Sequence, residues 1–351
     1  MRKRTILGLD AGSYALKAVQ IEATSKGAAV LQKSLYLPWR TGPDSMDGPP
    51  VSLKESLRTC AVTRGKVVSA VDGRGLLIRR ISLPEMPARD LLEALKWKVK
   101  KELGQDPEDL VLDYLPLGGP DRNGSKLGEW MVFALSKTVL QAHVQMLEEA
   151  GLEPVGVEPQ ATGLLHLFET CPSLAGEGSS LVLDLGARRT QLILGLGAIP
   201  QFIREIPFSG RQLTQGLQDA LGLDENTAEQ KKRETGLQGV REGQSDLDGV
   251  SEALEPFVQE LCTEIRYSLG YLQEHLPSLP PIRSFSLFGG GALLPGLDET
   301  LSREFGLPCV PVPELSRLGL PLSADYRSFG QTAPASSLAT ALGLALREVQ
   351  G

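Results

Sequence analysis

The sequence predicts a two-domain α/β protein whose two halves share one plan. The chain has 351 residues, which is long for a single hydrophobic core. Predicted strands and helices alternate along most of it. A strand that leads to Asp-x-Gly, a small residue and a second strand occurs twice, as LGLDAGSYALKAVQI and as LVLDLGARRTQLIL. The two copies lie roughly 175 residues apart, which indicates an internal duplication of architecture.

The first copy is centred on Gly8–Lys17 (GLDAGSYALK), the predicted tip of a hairpin. Gly12 permits a tight turn that brings backbone N–H groups close to an anion. Ser13 and Lys17 add a hydroxyl donor and a positive charge. Asp10 cannot bind phosphate directly, but a carboxylate beside a phosphate cradle suits Mg²⁺ held through water. Taken alone, the stretch is more typical of an ordinary hairpin with a polar tip.

The rest of the first half alternates between strands and one short helix. A loop rich in Pro and Gly at 41–50 interrupts it. The predicted strands are 28–37, 66–71 and 76–83, and the predicted helix is 52–60.

Residues 84–157 are predicted to form a separate inserted unit, in the order helix, strand, strand, helix, strand. Its first helix runs from Ala88 to about Glu102 and presents leucines and a valine on one face. The other face carries lysines, a pattern typical of a solvated helix face, with partner binding as the alternative. These lysines are Lys96, Lys98, Lys100 and Lys101. The later elements are strands at 110–117 and 129–135, a helix at 137–150 and a strand at 155–157.

A helix at 159–168 follows, and the second half begins with the second Asp-x-Gly hairpin at 181–194. A buried strand at 284–288 later runs directly into three glycines. The other predicted helices are 211–221, 227–236, 250–275, 295–305 and 336–349, with strands at 201–206 and 310–312 and a loop at 315–334.

Composition excludes several classes of function. A net charge of −7 argues against non-specific nucleic-acid binding, which needs a basic face. Four cysteines without a CxxC pair indicate free thiols in a reducing compartment, and three scattered histidines do not have the spacing of zinc ligands. No stretch approaches eighteen consecutive apolar residues. We therefore expect a cytoplasmic protein that reaches a membrane only through a partner.

The motifs together predict a nucleotide clamped between two similar halves. Each hairpin offers backbone N–H groups to phosphates, and two aspartates face each other across a Mg²⁺. A triple glycine lets the backbone approach the purine and the α-phosphate. A Glu and a Lys on one helix face reach the ribose and the base edge. The predicted nucleotide-binding residues are Asp10, Gly12, Ser13, Lys17, Asp184, Gly186, Ala187, Thr190, Glu229, Lys232, Gly289, Gly290 and Gly291, with Asp10 and Asp184 also holding the metal.

This set of motifs resembles the actin-like ATPase superfamily, and within it the branch that contains FtsA and PilM. The segments 10–17 and 184–190 look like its two phosphate motifs, 228–236 is similar to its adenosine-contacting helix, and 289–291 resembles its adenosine loop. The stretches ISLPEMPARDLLEALKWKVKKEL, DLVLDYLPL and LEEAGLEPVGVEPQATGL are similar to the PilM side of the branch. The resemblance covers nearly the whole chain.

The resemblance implies an actin-like, ribonuclease H-like fold that is duplicated and carries an FtsA/PilM-type inserted subdomain. The implied subdomains are 1A (1–83, 158–180 and 335–351), 1C (84–157), 2A (181–212 and 280–334) and 2B (213–279).

The function that the resemblance implies is a cytoplasmic, ATP-binding scaffold of the type IV pilus inner-membrane assembly platform. Such a protein binds the cytoplasmic N-terminal tail of the membrane protein PilN and lies near the pilus assembly ATPase. The inserted subdomain and its neighbour form the peptide groove in that family. Hydrolysis is expected to be slow or absent.

Two features bear on hydrolysis. Arg188 and Arg189 stand where many relatives have small residues, close to the expected γ-phosphate. The stretch Val157–Ala161 (VEPQA) is similar to the Glu-Pro-x-Ala stretch of actin-like chaperones, in which the Glu positions the attacking water. Glu158 is thus the one candidate catalytic residue. The alternative is a carboxylate that stabilises a helix N-terminus.

Three other functions remain open from the sequence. A true ATPase or sugar-kinase-like phosphotransferase would need a further catalytic Asp, and no additional Asp-x-Gly setting supplies one. An FtsA-like filament protein would carry a C-terminal amphipathic membrane helix, whereas the last predicted helix is rich in Ala and Leu. A GspL-like component of type II secretion would continue into a membrane-spanning segment.

Overall fold

The computed structural model describes most of the chain. The described residues are 4–23, 29–38, 52–59, 62, 65–71, 73, 75–103, 106–117, 127–171, 174, 178–237, 249–318, 320–331 and 333–350. The predicted loop at 41–50, Cys60 and most of the hairpin tip before Leu127 lie outside these ranges.

The strands fall close to the predicted positions. They are β1 (Arg4–Ala11), β2 (Ala15–Ala23), β3 (Ala29–Pro38), β4 (Gly65–Val71), β5 (Leu76–Pro84), β6 (Leu110–Pro116), β7 (Leu127–Ser136), β8 (Leu152–Pro159), β9 (Ser179–Leu185), β10 (Thr190–Leu196), β11 (Ile199–Ile206), β12 (Ile282–Phe288) and β13 (Leu322–Gly330).

The helices follow the same pattern. They are α1 (Leu53–Thr59), α2 (Ala88–Leu103), α3 (Lys137–Glu149), α4 (Gln160–Thr170), α5 (Gly210–Leu221), α6 (Glu225–Glu234), α7 (Val250–His275), α8 (Leu297–Phe305) and α9 (Ala335–Gln350).

Two sheets repeat one plan, which confirms the predicted duplicated α/β fold. The first has the order β13-β3-β2-β1-β4-β8, and the second has the order β11-β10-β9-β12. In each, a central strand pairs antiparallel with the next strand of the chain and parallel with a later one: β1 with β2 and β4, and β9 with β10 and β12. The Asp-x-Gly motif lies at the end of that central strand in both halves.

Helices α4 and α9 form the core that the two sheets share. Val19 of β2 and Val182 of β9 belong to the same buried cluster as these helices. A Cβ placed on Gly8 would lie 1.8 Å from the Ala341 carbonyl oxygen, so α9 packs directly on the backbone of β1. This contact fixes β1 immediately before the first Asp-x-Gly motif.

The inserted unit has its own three-stranded sheet, in the order β5-β7-β6. Leu95 and Val99 of α2 pack on Ile81 and Val132 of this sheet. From the sequence, the strand at 76–83 (β5) was expected before the inserted unit, and the strand at 155–157 (part of β8) was expected within it. In the structure β5 pairs with β7, and β8 pairs in parallel with β4 of the first large sheet.

Two predictions near the C-terminus are wrong. The segment 315–334 was expected to be a loop, yet it contains β13, which pairs in parallel with β3. This strand lies at a sheet edge and has no buried residue. Its sequence therefore lacks the regular alternation of apolar and polar residues by which a strand is predicted. The strand expected at 310–312 is absent from the described residues there, where an isolated bridge joins Phe285 and Cys309.

Within the described ranges, no helix is long and apolar enough to cross a membrane.

Candidate functional site

Asp10 and Lys17 lie directly opposite each other on β1 and β2. Their seven-residue separation therefore corresponds to a cross-strand pair beside the turn of the hairpin. Lys17 Nζ donates to Asp10 Oδ2 over 2.9 Å. Burial alone would lower the pKa of the Lys17 ammonium, but Asp10 and Asp184 outweigh it and raise that pKa to about 12. Both predicted aspartates thus act on one half-buried cation.

The second hairpin is built in the same way but carries a different partner. Asp184 on β9 lies opposite Gln191 on β10. The turn between them is closed by the Gly186 N–H, which donates to the Arg189 carbonyl over 2.9 Å. Thr190 is fully buried, and its hydroxyl donates to the Phe208 carbonyl over 2.8 Å. The Thr190 hydroxyl thus joins the second hairpin to the segment that follows β11.

Gln191 is a site residue that sequence reasoning missed. It is 6% exposed, and its Oε1 is a buried acceptor with no hydrogen-bond partner among the described residues. The signal was available, because Asp184 and Gln191 have the same seven-residue step as Asp10 and Lys17.

The triple glycine after β12 contacts the second hairpin through its backbone. Gly289 has φ +77°, and a Cβ there would lie 2.6 Å from Asp184 Oδ1. A Cβ on Gly291 would lie 2.6 Å from the Leu185 side chain. The Gly289 N–H donates to the Ser336 carbonyl at the start of α9 over 3.1 Å. Positions 289 and 291 therefore require glycine for close approach.

Glu229 and Lys232 of α6 form one network with Thr214 of α5. Lys232 Nζ donates to Thr214 Oγ1 over 2.7 Å and to the Gly210 carbonyl over 3.0 Å, and it is paired with the Glu229 carboxylate. Thr214 Oγ1 donates to Glu229 Oε2 over 2.7 Å. Burial lowers the pKa of Lys232. Burial favours a neutral Glu229, but Lys232 and the hydrogen bonds hold the pKa of that carboxyl below its ordinary value.

Arg233, the next residue of α6, links the two halves. Its Nε donates to Glu229 Oε1 over 2.8 Å, and its Nη2 donates to the Tyr14 hydroxyl over 2.9 Å. The guanidinium carbon lies 5.5 Å from the centre of the Tyr14 ring. Tyr14 belongs to the tip of the first hairpin, so this contact spans the cleft.

These elements enclose a cavity of about 230 Å³. Ten of the thirteen predicted nucleotide-binding residues line it. They are Gly12, Ser13, Lys17, Asp184, Gly186, Ala187, Glu229, Lys232, Gly290 and Gly291. The other three do not line the cavity. Asp10 lies behind Lys17, and Thr190 lies behind the second hairpin. Gly289 lies behind Asp184.

Glu158, the candidate catalytic residue, is also not a lining residue of this cavity. Its Oε2 accepts from Thr162 Oγ1 over 3.2 Å and lies 3.1 Å from His166 Nε2, while Oε1 is ion-paired with Arg347 of α9. Burial favours a neutral carboxyl, but His166 and Arg347 lower the pKa of Glu158. Gln160, two residues further on, lines the cavity instead.

Arg188 and Arg189 both border the cavity. Arg189 Nη1 is paired with Glu205 Oε2 over 3.1 Å. Its guanidinium also packs on Gly73, because a Cβ there would lie 2.4 Å from Nη1. Arg189 thus bridges the second hairpin to the link between β4 and β5.

A second cavity of about 490 Å³ lies among β5 of the inserted unit, β11 and α7. Arg204, Tyr267 and Tyr271 line it, and the Arg204 guanidinium stacks 4.8 Å from the Tyr267 ring centre. Gln191 borders both cavities.

Two matching hairpins, a glycine loop and a helix network around one interdomain cavity define an actin-like protein. The family profile described as type IV pilus assembly protein PilM matches residues 8–349. The chain belongs to this family.

Individual relatives and solved structures are similar to nearly the whole chain. A solved PilM–PilN type IV pilus biogenesis complex matches with a TM-score of 0.79 and 26% identity, over 99% of each chain. The cell division protein FtsA of Borreliella burgdorferi is 23% identical, over 99% of this chain and 91% of that protein. MreB 5 of Spiroplasma citri, solved with AMPPNP, matches with a TM-score of 0.50 and 14% identity over 98% and 95% of the two chains, which shows the fold alone.

Proposed function

We propose that this protein is an ATP-binding scaffold of a type IV pilus inner-membrane assembly platform. The observation that carries the nucleotide part is the half-buried Lys17 ammonium, on which both Asp10 and Asp184 act at the wall of a glycine-lined cavity. A cation that is paired with Asp10 and attracted by Asp184 suits a phosphate chain that enters together with a metal ion. The AMPPNP in the MreB 5 structure is a nucleotide bound to a protein of the same fold.

The carboxylates suit a magnesium ion that enters with the nucleotide. Mg²⁺ prefers oxygen ligands and keeps several waters, and Asp10 and Asp184 are both buried carboxylates near the cavity. Because Lys17 already neutralises part of their charge, we expect them to hold the ion through water. The orphaned Gln191 Oε1 would accept a hydrogen bond from such a water.

ATP hydrolysis is proposed to be slow or absent. A catalytic base must reach the attacking water, and the Glu158 carboxylate is bonded to His166, Thr162 and Arg347 away from the cavity lining. We therefore propose a structural role for Glu158 and assign it no catalytic step. Nucleotide binding would then set the relative position of the two halves.

The partner proposed for the inserted unit is the N-terminal tail of a PilN-like membrane protein. The supporting observations are the family membership and the solved PilM–PilN complex. The protein would accordingly lie in the cytoplasm, beside the inner membrane and near the pilus assembly ATPase.

Two measurements test these proposals separately. ATP with Mg²⁺ should raise the melting temperature of the wild-type protein, and Asp184→Asn should abolish this rise. Asp325→Asn, at an exposed position on β13, is the matched control and should retain it. An unchanged rise in Asp184→Asn would disprove the assigned nucleotide site. Binding of a synthetic PilN-tail peptide, measured by pull-down with and without ATP, tests the partner, and its absence in both conditions would exclude PilN.

A further inference from the structure

The outward face of α2 carries an exposed tryptophan. Trp97 is 58% exposed and lies opposite Leu95 and Val99, which are buried against the sheet of the inserted unit. An indole is among the largest apolar groups a protein can bury. Its position at the centre of the solvent-facing side therefore has no explanation in the packing of the inserted unit.

Lysines surround this indole. The second half of α2 contains Lys96, Lys98, Lys100 and Lys101 against one acidic residue, in a chain of net charge −7. The Lys101 ammonium lies 4.7 Å from the centre of the Trp97 ring. At 100° per residue, Lys100 and Lys101 flank Trp97 on the outward face, and Lys96 and Lys98 border that face.

Lys96 and Lys100 have acidic neighbours. Lys96 Nζ donates to Glu93 Oε1 over 2.8 Å, and Lys100 Nζ lies 3.9 Å from Asp106 Oδ2. Glu93 is in the first half of the helix, so the basic character belongs to the C-terminal half. Both pairs are solvent-exposed and are worth little.

An ordinary solvated helix end explains only part of this pattern. Lysines in a last turn interact favourably with the helix dipole, which accounts for Lys100 and Lys101. It does not account for an exposed indole. Tryptophan beside long lysine side chains is the combination found where protein meets a bilayer, because the ring lies at the headgroup level and the ammonium groups reach the lipid phosphates.

We propose that the C-terminal half of α2, with Trp97 at its centre, binds the surface of an anionic phospholipid bilayer. The lysines contact lipid phosphates and the Trp97 indole enters the headgroup region. A helix face with one protruding ring suits a flat fluid surface better than a protein partner, which needs about 800 Å² of complementary surface. The proposal stands on α2 alone and does not depend on the nucleotide cavity.

Co-sedimentation of the full chain with vesicles tests the proposal. We expect binding to phosphatidylglycerol-rich vesicles at 0.05 M salt, strong weakening at 0.5 M salt, and none to phosphatidylcholine vesicles. Binding should shift the Trp97 emission to shorter wavelength, and Trp97→Phe should remove that shift.

Matched lysine variants separate a local site from net charge. Each lysine near an anionic membrane contributes about fivefold to partitioning, so Lys100→Gln with Lys101→Gln should lower it about 25-fold. Lys54→Gln with Lys66→Gln removes the same charge from exposed positions in the first half and should leave partitioning unchanged.

Three results would overturn the proposal. They are no binding of the wild-type protein to anionic vesicles at low salt, equal losses in the two double variants, and binding without a change in Trp97 emission. ATP-dependent stabilisation should persist in every variant, so a failure here is distinguishable from a failure of the nucleotide site. An acidic protein partner for α2 would appear as the first of these results.

Discussion

The Tyr14 hydroxyl accepts a hydrogen bond of 2.9 Å from Arg233 Nη2, and this bond joins the tip of the first hairpin to α6 across the cleft. Both residues line the cavity of about 230 Å³. We therefore expect a nucleotide to enter past the Tyr14–Arg233 contact, which holds the two sides of the cleft together.

Replacing this hydroxyl should make the cleft easier to open. For Tyr14→Phe we expect a loss of about 1 kcal/mol in the free energy of unfolding without nucleotide, and faster ATP association in stopped-flow measurements. Tyr326→Phe is the control. The Tyr326 hydroxyl forms a hydrogen bond of 2.7 Å with the Ser34 hydroxyl, and this bond lies away from the cleft. The control variant should lose similar stability without a change in association rate. An unchanged rate in Tyr14→Phe would mean that the contact does not limit entry.

The raised pKa of Lys17 predicts that the free energy of unfolding falls at alkaline pH. Its pKa is about 12 in the folded protein against 10.5 in an unfolded chain. The raised pKa contributes about 2 kcal/mol, fully present below pH 10.5 and lost as pH rises toward 12. Asp10→Asn should reduce this pH-dependent loss and lower stability at pH 8. Urea titrations between pH 8 and 12 measure both, and equal slopes in the two proteins would contradict the assigned ion pair.

Two adjacent glycines offer a sharp comparison. Gly289→Ala forces a Cβ to within 2.6 Å of Asp184 Oδ1 at φ +77°, whereas a Cβ on Gly290 meets no atom within 4 Å. We expect Gly289→Ala to cost about 1–3 kcal/mol of stability and to weaken nucleotide binding. Gly290→Ala should keep the stability of the wild-type protein. Thermal melts with and without ATP distinguish the two, and equal stabilities would show that the loop relaxes freely.

Replacing Gln191 should weaken ATP binding without lowering the stability of the nucleotide-free protein. Its buried Oε1 has no partner among the described residues, so Gln191→Leu should maintain or raise the stability of the nucleotide-free protein. ATP affinity in calorimetry should fall about tenfold, the effect of one lost hydrogen bond of about 1.4 kcal/mol. Gln201→Leu is the contrast, because its buried amide donates to the Leu117 carbonyl. Gln201→Leu should lower stability and leave ATP affinity unchanged. If Gln191→Leu instead lost stability and kept its ATP affinity, Gln191 would not belong to the nucleotide site.

Glu158 should affect folding and leave nucleotide binding unchanged. Its pKa lies below the ordinary value of 4.5, so its contribution is present above pH 4.5 and is lost as pH falls through the folded-state value. Glu158→Gln should therefore cost about 1–3 kcal/mol at pH 7 and flatten the acid limb of stability. ATP affinity should match that of the wild-type protein. A lower affinity or a lost ATPase rate would return Glu158 to the catalytic site.

Local patterns explain what could be predicted from the sequence. Both hairpins depend on Asp-x-Gly between apolar strands, and the α6 network depends on a Glu and a Lys three residues apart, so short segments reveal them. Strand β13 was missed because an exposed edge strand carries no hydrophobic alternation.

The features of the site that the sequence did not reveal depend on tertiary contacts. Glu158 belongs to a suggestive motif, but His166 and Arg347 occupy its carboxylate, and Arg347 is distant in the chain. The contact of Tyr14 with Arg233 joins residues 219 positions apart and leaves no local pattern. Gln191 was accessible only by comparing the register of the two hairpins.

Helix α9 closes the core of the first half, since it packs on the backbone of β1 at Gly8 and its own residues from Leu338 to Leu346 are buried. During synthesis, β1 and β2 are made more than three hundred residues before this helix. The second sheet, by contrast, is complete once β12 has emerged. The strands of the second sheet can therefore pair before α9 exists, whereas the core that α9 shares with both sheets is expected to form only after this helix has emerged.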